Sequence, residues 1–463
     1  MAVEIRNHSI QSVRRIGERP LTLSPLGERS SRICDNVLFM PHHPAQLAIW
    51  ISTWLLCGLV FVLILWRPRR IPEYVWAVAG AVMLVLFRLL PLRAAWSAVR
   101  SGTDVYLFLA GMMLLAELAR NHGVFDWLAA EAMGHAKGSQ TRLFVLVYGI
   151  GIVVTALLSN DATAVLLTPA VLAVVRRAKT SPLPYLFACA FIANAASFVL
   201  PISNPANLVV FDGRLPALGE WLRIFLLPSV AAVGMTFLVL WWHSRKDLLP
   251  PIHDGASPAT LDARGRRAGM GILLAASALL VTSGLGGPVG PATLIAGILA
   301  MLFVARTDGH VMAASLRSVS WSVIPLVAGL FAIVAALREV GVLAISADAL
   351  KAAAAWPPIA GWSAVAFGFG VAANAINNLP MGLIGASAVL TAHGTRAMHA
   401  AVLLGIDLGP NLSVTGSLAT ILWLIAMRRE NIEVSGWRFL RVGVLVMPPA
   451  LFLAVLALVL TQH

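Results

Sequence analysis

Long apolar runs recur along almost the whole chain, separated by short polar stretches. Spans are predicted near residues 46–66, 74–91, 104–119, 184–210 and 221–243, and again near 269–285, 290–306, 322–338, 398–424 and 436–461. Such runs approach the roughly 20 apolar residues that cross a bilayer as a helix. They do not alternate as the strands of a membrane barrel would. The pattern predicts an all-α polytopic membrane protein with about ten transmembrane helices.

Two further apolar segments, 143–175 and 360–391, are each too long for one crossing. The first is interrupted by Ser159-Asn160-Asp161 and the second by Asn377-Asn378. Each is predicted to be a re-entrant hairpin of two helices; the alternative is one long helix with a kink. Non-helical backbone within a membrane is tolerated only where protein or a water-filled cavity surrounds it. The interruptions therefore mark a protected interior.

The chain contains an internal repeat. FLAGMMLLAELARNHGV (108–124) aligns without a gap with LVAGLFAIVAALREVGV (326–342), and Asn160-Asp161 then falls on Asn377-Asn378 after a one-residue shift. Further on, ANAASFVLPISNPANL (193–208) lies over IDLGPNLSVTGSLATI (406–421). At the hairpin tips the alignment sets Asp161 against Asn378, and at the broken spans it sets Asn194 against Asp407, so each half contributes one acid and one amide, crosswise. Two repeats are predicted, over 46–243 with hairpin 143–175 and over 269–463 with hairpin 360–391, joined by the linker 244–268. Each repeat has an odd number of spans, so the second enters the membrane from the opposite face.

Composition and charge support a membrane protein rather than a nucleic-acid-binding one. Of the 463 residues, 59% are hydrophobic and 12% are charged, about half the charged fraction of a soluble chain. The net charge of +13 comes from clusters between spans, such as RPRR at 67–70 and RGRR at 264–267. Lys and Arg are concentrated in every second loop, and such residues favour the cytoplasmic side of a membrane. The chain is therefore predicted to be a bacterial plasma-membrane protein with the linker in the cytoplasm and the segment before residue 46 outside. Three scattered cysteines and the lack of an HExxH motif predict no metal site and no cofactor.

The first 45 residues differ from the rest of the chain. They are polar, rich in Arg and Ser, and without hydrophobic periodicity or a signal-peptide pattern. They are predicted to be a disordered tail. Because Met40 stands just before the first span, translation beginning there is a hypothesis under which residues 1–39 are absent from the native protein.

The buried polar residues are the candidates for function. Paired interruptions in inverted repeats point to the binding site of a secondary transporter. Low dielectric favours the neutral form of a carboxyl group, so Asp161 and Asp407 are candidates for taking up and releasing protons. Amide and hydroxyl groups both donate and accept hydrogen bonds, which suits a small solute carrying several hydroxyls. The candidate substrate-binding residues are Ser159, Asn160, Thr163, Asn194, Asn204, Asn207, Asn377, Asn378, Ser417 and Thr420.

A purely structural role is the alternative for each of these residues. Asp161 could cap its own hairpin tip, and Asp407 could pair with an Arg or a helix end. The residues around Pro201, Pro205 and Pro410 could simply satisfy unwound backbone. Glu117 and Arg120, three apart on one helix, favour a local ion pair over a proton relay. The segment 122–142 is predicted to be an interfacial amphipathic helix.

Three stretches carry a resemblance to a known family. SNDATAVLLTPAV (159–171), NAINNLPMGLIGASAV (374–389) and LLGIDLGPNLSVTGSLATILWL (403–424) closely resemble the ArsB-type arsenite efflux permeases. These belong to the ion transporter superfamily, which includes NhaD-type antiporters and dicarboxylate carriers. The resemblance implies export of arsenite, and of antimonite, in exchange for protons; some relatives also work with a cytosolic ATPase subunit. It covers most of the chain from about residue 46. A more basic residue is expected of this family in the Asn411-Leu412-Ser413 run.

Other functions remain open on sequence grounds. A sodium/proton antiporter or a carboxylate carrier would use the same scaffold, although a carboxylate carrier should have a more cationic site. A passive channel is a further alternative. An intramembrane aspartyl protease would also need two buried acids, but its YD and GxGD pairing is absent, so no enzyme is predicted.

Overall fold

The computed structural model describes residues 44–252, 260–305 and 309–461. In these residues the regular structure is helical; a single bridge between Ser139 and Pro251 is the one extended pairing and builds no strand. The prediction for the N-terminal tail lies outside the described residues, apart from its last two positions. The all-α architecture predicted from the apolar runs is confirmed.

Ten α-helices precede the linker and ten follow it in the described part of the chain. The first ten are α1 (Pro44–Trp66), α2 (Glu73–Leu86), α3 (Leu92–Ser101), α4 (Thr103–Asn121), α5 (Val124–Ala136), α6 (Gln140–Leu157), α7 (Thr168–Arg177), α8 (Leu183–Ala195), α9 (Pro205–Val210) and α10 (Leu218–Ser244). The second ten are α11 (Ala263–Gly284), α12 (Val289–Ala305), α13 (Gly309–Ser318), α14 (Val323–Glu339), α15 (Val342–Ala354), α16 (Pro358–Ile376), α17 (Asn378–Thr391), α18 (Arg396–Leu408), α19 (Leu418–Arg429) and α20 (Gly436–Thr461). Among the described helices, six are long and apolar enough to cross a membrane, or up to eight if each bent pair counts as one span.

The fourth and fifth helices of each set share one local design. Helix α4 ends before Gly123 (φ 68°) and α14 ends before Gly341 (φ 85°). Glycine adopts this left-handed conformation without a steric penalty, so it stops one helix and starts the next at a new angle. Helices α5 and α15, which follow, each have 13 residues. The expected amphipathic helix over 122–142 is thus shorter than predicted, because Lys137 and Gly138 also adopt left-handed conformations and end α5.

Two aligned glycines make matching helix contacts across the molecule. A Cβ added to Gly111 of α4 would lie 2.3 Å from the backbone of Thr293 in α12, and one on Gly329 of α14 would lie 2.7 Å from Ala77 in α2. Both helix pairs are among the most extensively packed in the protein. Only a residue without a side chain allows helix backbones to approach so closely.

The segment predicted as the first hairpin folds back on itself. After α6 the chain breaks at Leu158 and Ser159, and a π-helical stretch, Ala162–Leu167, leads into α7. Thr163 Oγ1 lies 2.8 Å from Thr155 Oγ1 and 3.5 Å from the carbonyl oxygen of Gly151. A continuous helix would separate residues 151 and 163 by about 18 Å. The alternative of one kinked helix is therefore wrong for this segment.

The second hairpin reverses in the same way. Helix α16 ends at Ile376, α17 starts at Asn378, and a Cβ on Gly385 would lie 3.0 Å from the ring of Phe369. The first arms, α6 and α16, have 18 and 19 residues, longer than half a membrane thickness requires. Their apolar pattern has no helix breaker before the polar tips, so the helices extend further than the sequence analysis expected.

The two hairpins lie toward opposite ends of α10. This 27-residue helix is about 40 Å long. Near its start, Glu220 forms an ion pair with Arg396, just after the second hairpin. Beyond its end, the Leu248 carbonyl accepts a hydrogen bond from Thr141 at the beginning of the first hairpin (3.3 Å). The hairpins thus enter the bundle from opposite faces, and the described part of the linker lies beside the first.

Candidate functional site

Two hydrogen bonds donated by backbone N–H groups help to hold the tip of the first hairpin. The Ala162 N–H donates to Ser159 Oγ (3.1 Å), which caps the returning helix. The Asn160 N–H donates to the Ser203 carbonyl oxygen (3.1 Å), in the unwound segment between α8 and α9. The tip is therefore fixed against a second interrupted span rather than facing solvent.

The tip of the second hairpin repeats this arrangement. The Leu379 N–H donates to Asn377 Oδ1 (3.4 Å), and the Asn378 N–H donates to the Gly416 carbonyl oxygen (2.9 Å) between α18 and α19. By these contacts Asn378 is the counterpart of Asn160. The sequence alignment had paired Asn160 with Asn377 and Asp161 with Asn378, which is one residue out of register with the hydrogen bonds. The pairing of Asp161 with Asn378 therefore does not describe the contacts at the tips.

Asn377 has an unusual backbone conformation, with φ 81° and ψ 154°. This region is almost exclusive to glycine, and a side chain there costs about 1–3 kcal/mol. Asn160 in the other tip has no positive φ. The second tip is the strained one of the two.

Each tip faces a span whose helix unwinds and restarts. In the first, Asn204 Oδ1 accepts from the Ala206 N–H (3.0 Å) where α9 begins. In the second, Ser417 Oγ accepts from the Thr420 N–H (3.1 Å) where α19 begins. Prolines at 201, 205 and 410 lack the backbone N–H that a continuous helix would need, which explains why these spans break here.

Asp407 is buried and is bonded across the two halves. Its Oδ1 accepts a hydrogen bond from Asn204 Nδ2 (2.8 Å), and the residue is 1% exposed. Its Oδ2 is buried and has no hydrogen-bond partner among the described residues. Burying a carboxylate without a cation beside it is costly. The structural alternative, in which Asp407 pairs with an Arg, is not what the described contacts show.

Asn194 occupies the matching place in the other broken span. Ser417 Oγ donates to Asn194 Oδ1 (3.3 Å), and Asn194 Nδ2 donates to Asn411 Oδ1 (3.0 Å) and Thr420 Oγ1 (3.4 Å). In the alignment Asn194 corresponds to Asp407 and Ser417 to Asn204. The same cross-connection is thus made once with an acid and an amide, and once with an amide and a hydroxyl.

Both hairpin tips line one small cavity, which we call the tip cavity. It is narrow, with a volume of about 10 Å³, close to the room that one water molecule needs. Its walls are Leu109, Asn160, Asp161, Asn204, Pro205, Val323, Asn378, Leu379, Leu418 and Ala419. No Lys or Arg is among these residues. The cavity offers amide groups and one carboxyl group to a ligand.

Asp161 also faces a second space, the inner cavity, lined by Phe108, Leu109, Met112, Met113, Ala116, Glu117, Ser159, Asp161, Ala162, Val165, Leu166, Pro205, Ser320, Val323, Leu418 and Leu422. Its carboxylate has no hydrogen-bond partner among the described residues, so Asp161 does not cap the hairpin tip. An acid that joins two cavities and is not tied to its own backbone is available to a proton or a solute.

Six predicted substrate-binding residues line neither the tip cavity nor the inner cavity: Thr163, Asn194, Asn207, Asn377, Ser417 and Thr420. Thr163 is fully buried and bonds Thr155 of α6, fixing the π-helical stretch to the first arm. Asn207 Nδ2 donates to the carbonyl oxygens of Ser197, Leu200 and Pro201 at 2.9–3.2 Å. These hydrogen bonds stabilise the local structure of the first hairpin and of the broken span, and neither Thr163 nor Asn207 lines the tip cavity.

The structure adds two polar residues that the sequence analysis did not propose as site residues, Asn374 and Asn411. Asn374 Nδ2 donates to the carbonyl oxygens of Gly370 (2.7 Å) and Gly409 (3.0 Å), and its Oδ1 accepts from Ser413 Oγ (2.6 Å). Asn411 reaches across to Asn194 and to the Phe191 carbonyl oxygen (3.2 Å). The sequence signal was a polar residue within an apolar stretch, one turn before the tip for Asn374.

Cys57 and Cys189 are buried, and neither lines the tip cavity or the inner cavity. In the described part of the chain, no three His, Cys, Asp or Glu residues are grouped so as to hold a metal ion.

Comparison with known proteins agrees with this architecture. The chain is 29% identical to the arsenical pump membrane protein of Escherichia coli over 429 residues, covering 88% of this chain and 98% of that protein. Its counterpart in Yersinia enterocolitica is also 29% identical, with the same coverage. A protein of Mycobacterium tuberculosis described as an uncharacterised transporter is 27% identical, covering 84% of this chain and 94% of that one.

A solved structure and a family model give the fold and the family. The YdaH transporter of Alcanivorax borkumensis has a similar fold, with a TM-score of 0.51, 19% identity, and coverage of 79% of this chain and 86% of that one. The expected resemblance to the superfamily of the arsenite permeases is confirmed by these matches. The model of the citrate transporter family (CitMHS) matches residues 61–409. The chain is thus a multi-pass membrane protein that belongs to the citrate transporter (CitMHS) family.

Proposed function

We propose that this protein exports arsenite, and antimonite, from the cytoplasm in exchange for protons. The observation that carries the proposal is the tip cavity, where amide groups and the carboxyl group of Asp161 meet without any Lys or Arg. Arsenite at neutral pH is a small uncharged trihydroxide, and amides supply both donors and acceptors for its hydroxyl groups. Relatives that match almost the full chain are named arsenical pump membrane proteins.

The family's name raises a second candidate, a carboxylate carrier. A tricarboxylate brings several negative charges, and a low-dielectric site needs cations or many N–H donors to offset their desolvation. The tip cavity instead contains a carboxyl group of its own. This charge balance favours a neutral polyhydroxylated solute. A sodium/proton antiporter is a further alternative, which sodium-dependent transport would reveal.

Export of a neutral solute against its gradient needs an energy source. Each proton that enters supplies about 2.3 kcal/mol per 100 mV of membrane potential. In our proposal Asp161 and Asp407 carry these protons. Asp161 faces both cavities, whereas Asp407 is buried beside Asn204 with one oxygen unpaired. No ATPase subunit is required by this scheme, although a cytosolic subunit could bind as it is implied to do for some relatives.

Alternating access fits two inverted repeats of helices. We infer that α1–α10 and α11–α20 are these repeats, supported by the equivalent glycine contacts and the matching tip hydrogen bonds. The hairpins and broken spans, which are bonded to each other, would move together relative to the remaining helices. We place the protein in the bacterial plasma membrane, where lipid surrounds it. The linker 244–268 then lies in the cytoplasm and the segment before residue 46 lies outside.

The test is arsenite accumulation by everted membrane vesicles that carry the protein. A pH gradient imposed with the vesicle lumen acidic should drive arsenite uptake. A protonophore should abolish this uptake, and added sodium or ATP should be unnecessary. Asp161→Asn should reduce this uptake by about 100-fold or more, since an amide cannot carry a proton. Asp348→Asn, an exposed acid on α15, is the matched control and should retain it. Citrate uptake without arsenite uptake, or full activity of the Asp161→Asn protein, would refute the proposal.

A further inference from the structure

Glu117 on α4 lies at the boundary between two cavities. It lines the inner cavity together with Asp161. It also lines a larger space, the vestibule, formed by Glu117, Arg120, Phe125, Asp126, Val165, Leu166, Pro169, Ala170, Ser318, Ser320, Leu422, Ile425, Ala426, Arg429 and Glu430. Glu117 is 9% exposed, so it is a buried acid at the junction. It is the one titratable residue that the two cavity walls share.

One oxygen of Glu117 is tied and the other is not. Oε2 accepts hydrogen bonds from Arg120 Nε (2.9 Å) and Nη2 (2.7 Å). Oε1 has no hydrogen-bond partner among the described residues. The Arg120 side chain is 47% exposed and lines the vestibule but not the inner cavity. The ion pair expected from the sequence is present, and it leaves one carboxylate oxygen available.

The rest of the junction is apolar or hydroxylic. The shared walls of the two cavities are completed by Val165, Leu166, Ser320 and Leu422. Toward the tip the next titratable group is Asp161, on the first hairpin. Toward the vestibule the charged groups are Arg120, Asp126 of α5, and Arg429 and Glu430 at the end of α19. Glu117 is thus the acidic step between Asp161 and these groups.

The repeat indicates that the fold itself does not require an acid at this position. In the gapless alignment of 108–124 with 326–342, Glu117 falls on Ala335, whereas Arg120 falls on Arg338. Helices α4 and α14 otherwise share their glycine contact and their left-handed terminator. The acid is therefore present on only one face of the molecule. That face carries the linker, since a Cβ on Gly265 would lie 2.8 Å from the His122 carbonyl oxygen just beyond α4.

We propose that Glu117 relays the protons released by Asp161 to the cytoplasmic vestibule. The O–H bond of the Asp161 carboxyl group breaks and an O–H bond forms on Glu117 Oε1, so Asp161 becomes a carboxylate and no electrons are exchanged. The proton then leaves Glu117 for the vestibule, while Arg120 keeps the side chain in place through Oε2. The inner cavity has a volume of about 90 Å³, and one water molecule needs about 10–15 Å³ of such space, so a hydrated path is compatible with its size.

This relay rests on the proposed proton exchange, and the experiment separates the two. Purified protein in liposomes is assayed in two modes: arsenite uptake driven by a pH gradient, and arsenite–arsenite exchange at equal pH. Net antiport requires proton release on every cycle, whereas exchange does not. Glu117→Gln should slow the gradient-driven mode by about tenfold or more and leave exchange within about twofold of wild type. Glu117→Asp should keep gradient-driven uptake with an altered pH profile.

The controls make each outcome decisive. Glu339→Gln, an exposed acid at the end of α14, should change neither mode. If Glu117→Gln fails to fold because Arg120 is left unpaired, the Glu117→Gln/Arg120→Gln double variant should give the same selective loss. An equal loss of both modes, or unchanged gradient-driven uptake, would overturn the relay. Wild-type protein without any gradient-driven uptake would instead contradict the proposed function.

Discussion

Asp407 and Asn194 occupy matching places in the two broken spans but carry different chemistry. Asp407 accepts a hydrogen bond from Asn204, whereas Asn194 accepts one from Ser417. Asn194 has further amide and hydroxyl partners, but one oxygen of Asp407 is buried without any described partner. The corresponding connection at Asn194 is thus made without any acid. An acid at 407 is therefore not required for this kind of connection, which supports our proposal that Asp407 carries protons.

The largest effect on transport should come from giving position 407 the same residue as position 194. Asp407→Asn puts the chemistry of Asn194 into the other span, so the protein should fold while proton-driven arsenite uptake falls by about 100-fold or more. Uptake in everted vesicles and the thermal midpoint of the purified protein measure the two parts. Uptake at the wild-type rate would show that the acid is dispensable and would undermine the comparison.

A smaller effect should follow when each connection loses its partner. Asn204→Ala removes the hydrogen bond to Asp407 and the cap of α9, and Ser417→Ala removes the corresponding bond to Asn194 and the cap of α19. Each should lower the free energy of unfolding by about 1–3 kcal/mol, because a buried polar group loses its partner.

The two variants should differ in coupling. Only Asn204→Ala disturbs a proposed proton carrier, Asp407, so only this variant should change the number of protons moved per arsenite, measured in liposomes with a pH-sensitive dye. If both variants change the coupling ratio equally, the two connections are not chemically distinct in the way described here.

The smallest effect concerns the hairpin tips. Asn377 has the glycine-like backbone conformation, and Asn160 does not. Asn377→Gly should therefore raise the free energy of unfolding by about 1 kcal/mol, after the loss of its weak cap. Asn160→Gly, which relieves no strain, should lower it by about 0.5–1 kcal/mol. Thermal unfolding in detergent measures both, and stabilisation of similar size by both glycines would contradict the difference between the tips.

Much of the architecture could be predicted because it follows from hydrophobic patterning. The apolar runs located the helices, and the polar interruptions at 159–161 and 377–378 located both reversals. A lipid environment forces every backbone group into helical hydrogen bonds, which leaves few alternatives for such runs. The places where the helices stop were read from Asn, Ser and Pro, whose effect on the backbone is local.

What could not be predicted depends on contacts between distant residues. The sequence alone did not reveal that Thr163 and Asn207 bond to the surrounding protein and do not line the tip cavity. A helical or loop residue has no fixed partner before the chain packs. The one-residue register difference between the tips appears only in the bonds to Ser203 and Gly416. Glu117 was expected to form an ion pair, and it does; its position between two cavities depends on α14 and α19.

The most direct test of the account is proton movement coupled to arsenite. With the purified protein in liposomes that contain a pH-sensitive dye, an outward arsenite gradient should drive protons inward. The wild-type protein should acidify the lumen as arsenite leaves, and neither Asp161→Asn nor Asp407→Asn should do so. Arsenite efflux at the wild-type rate without any pH change would contradict the central claim.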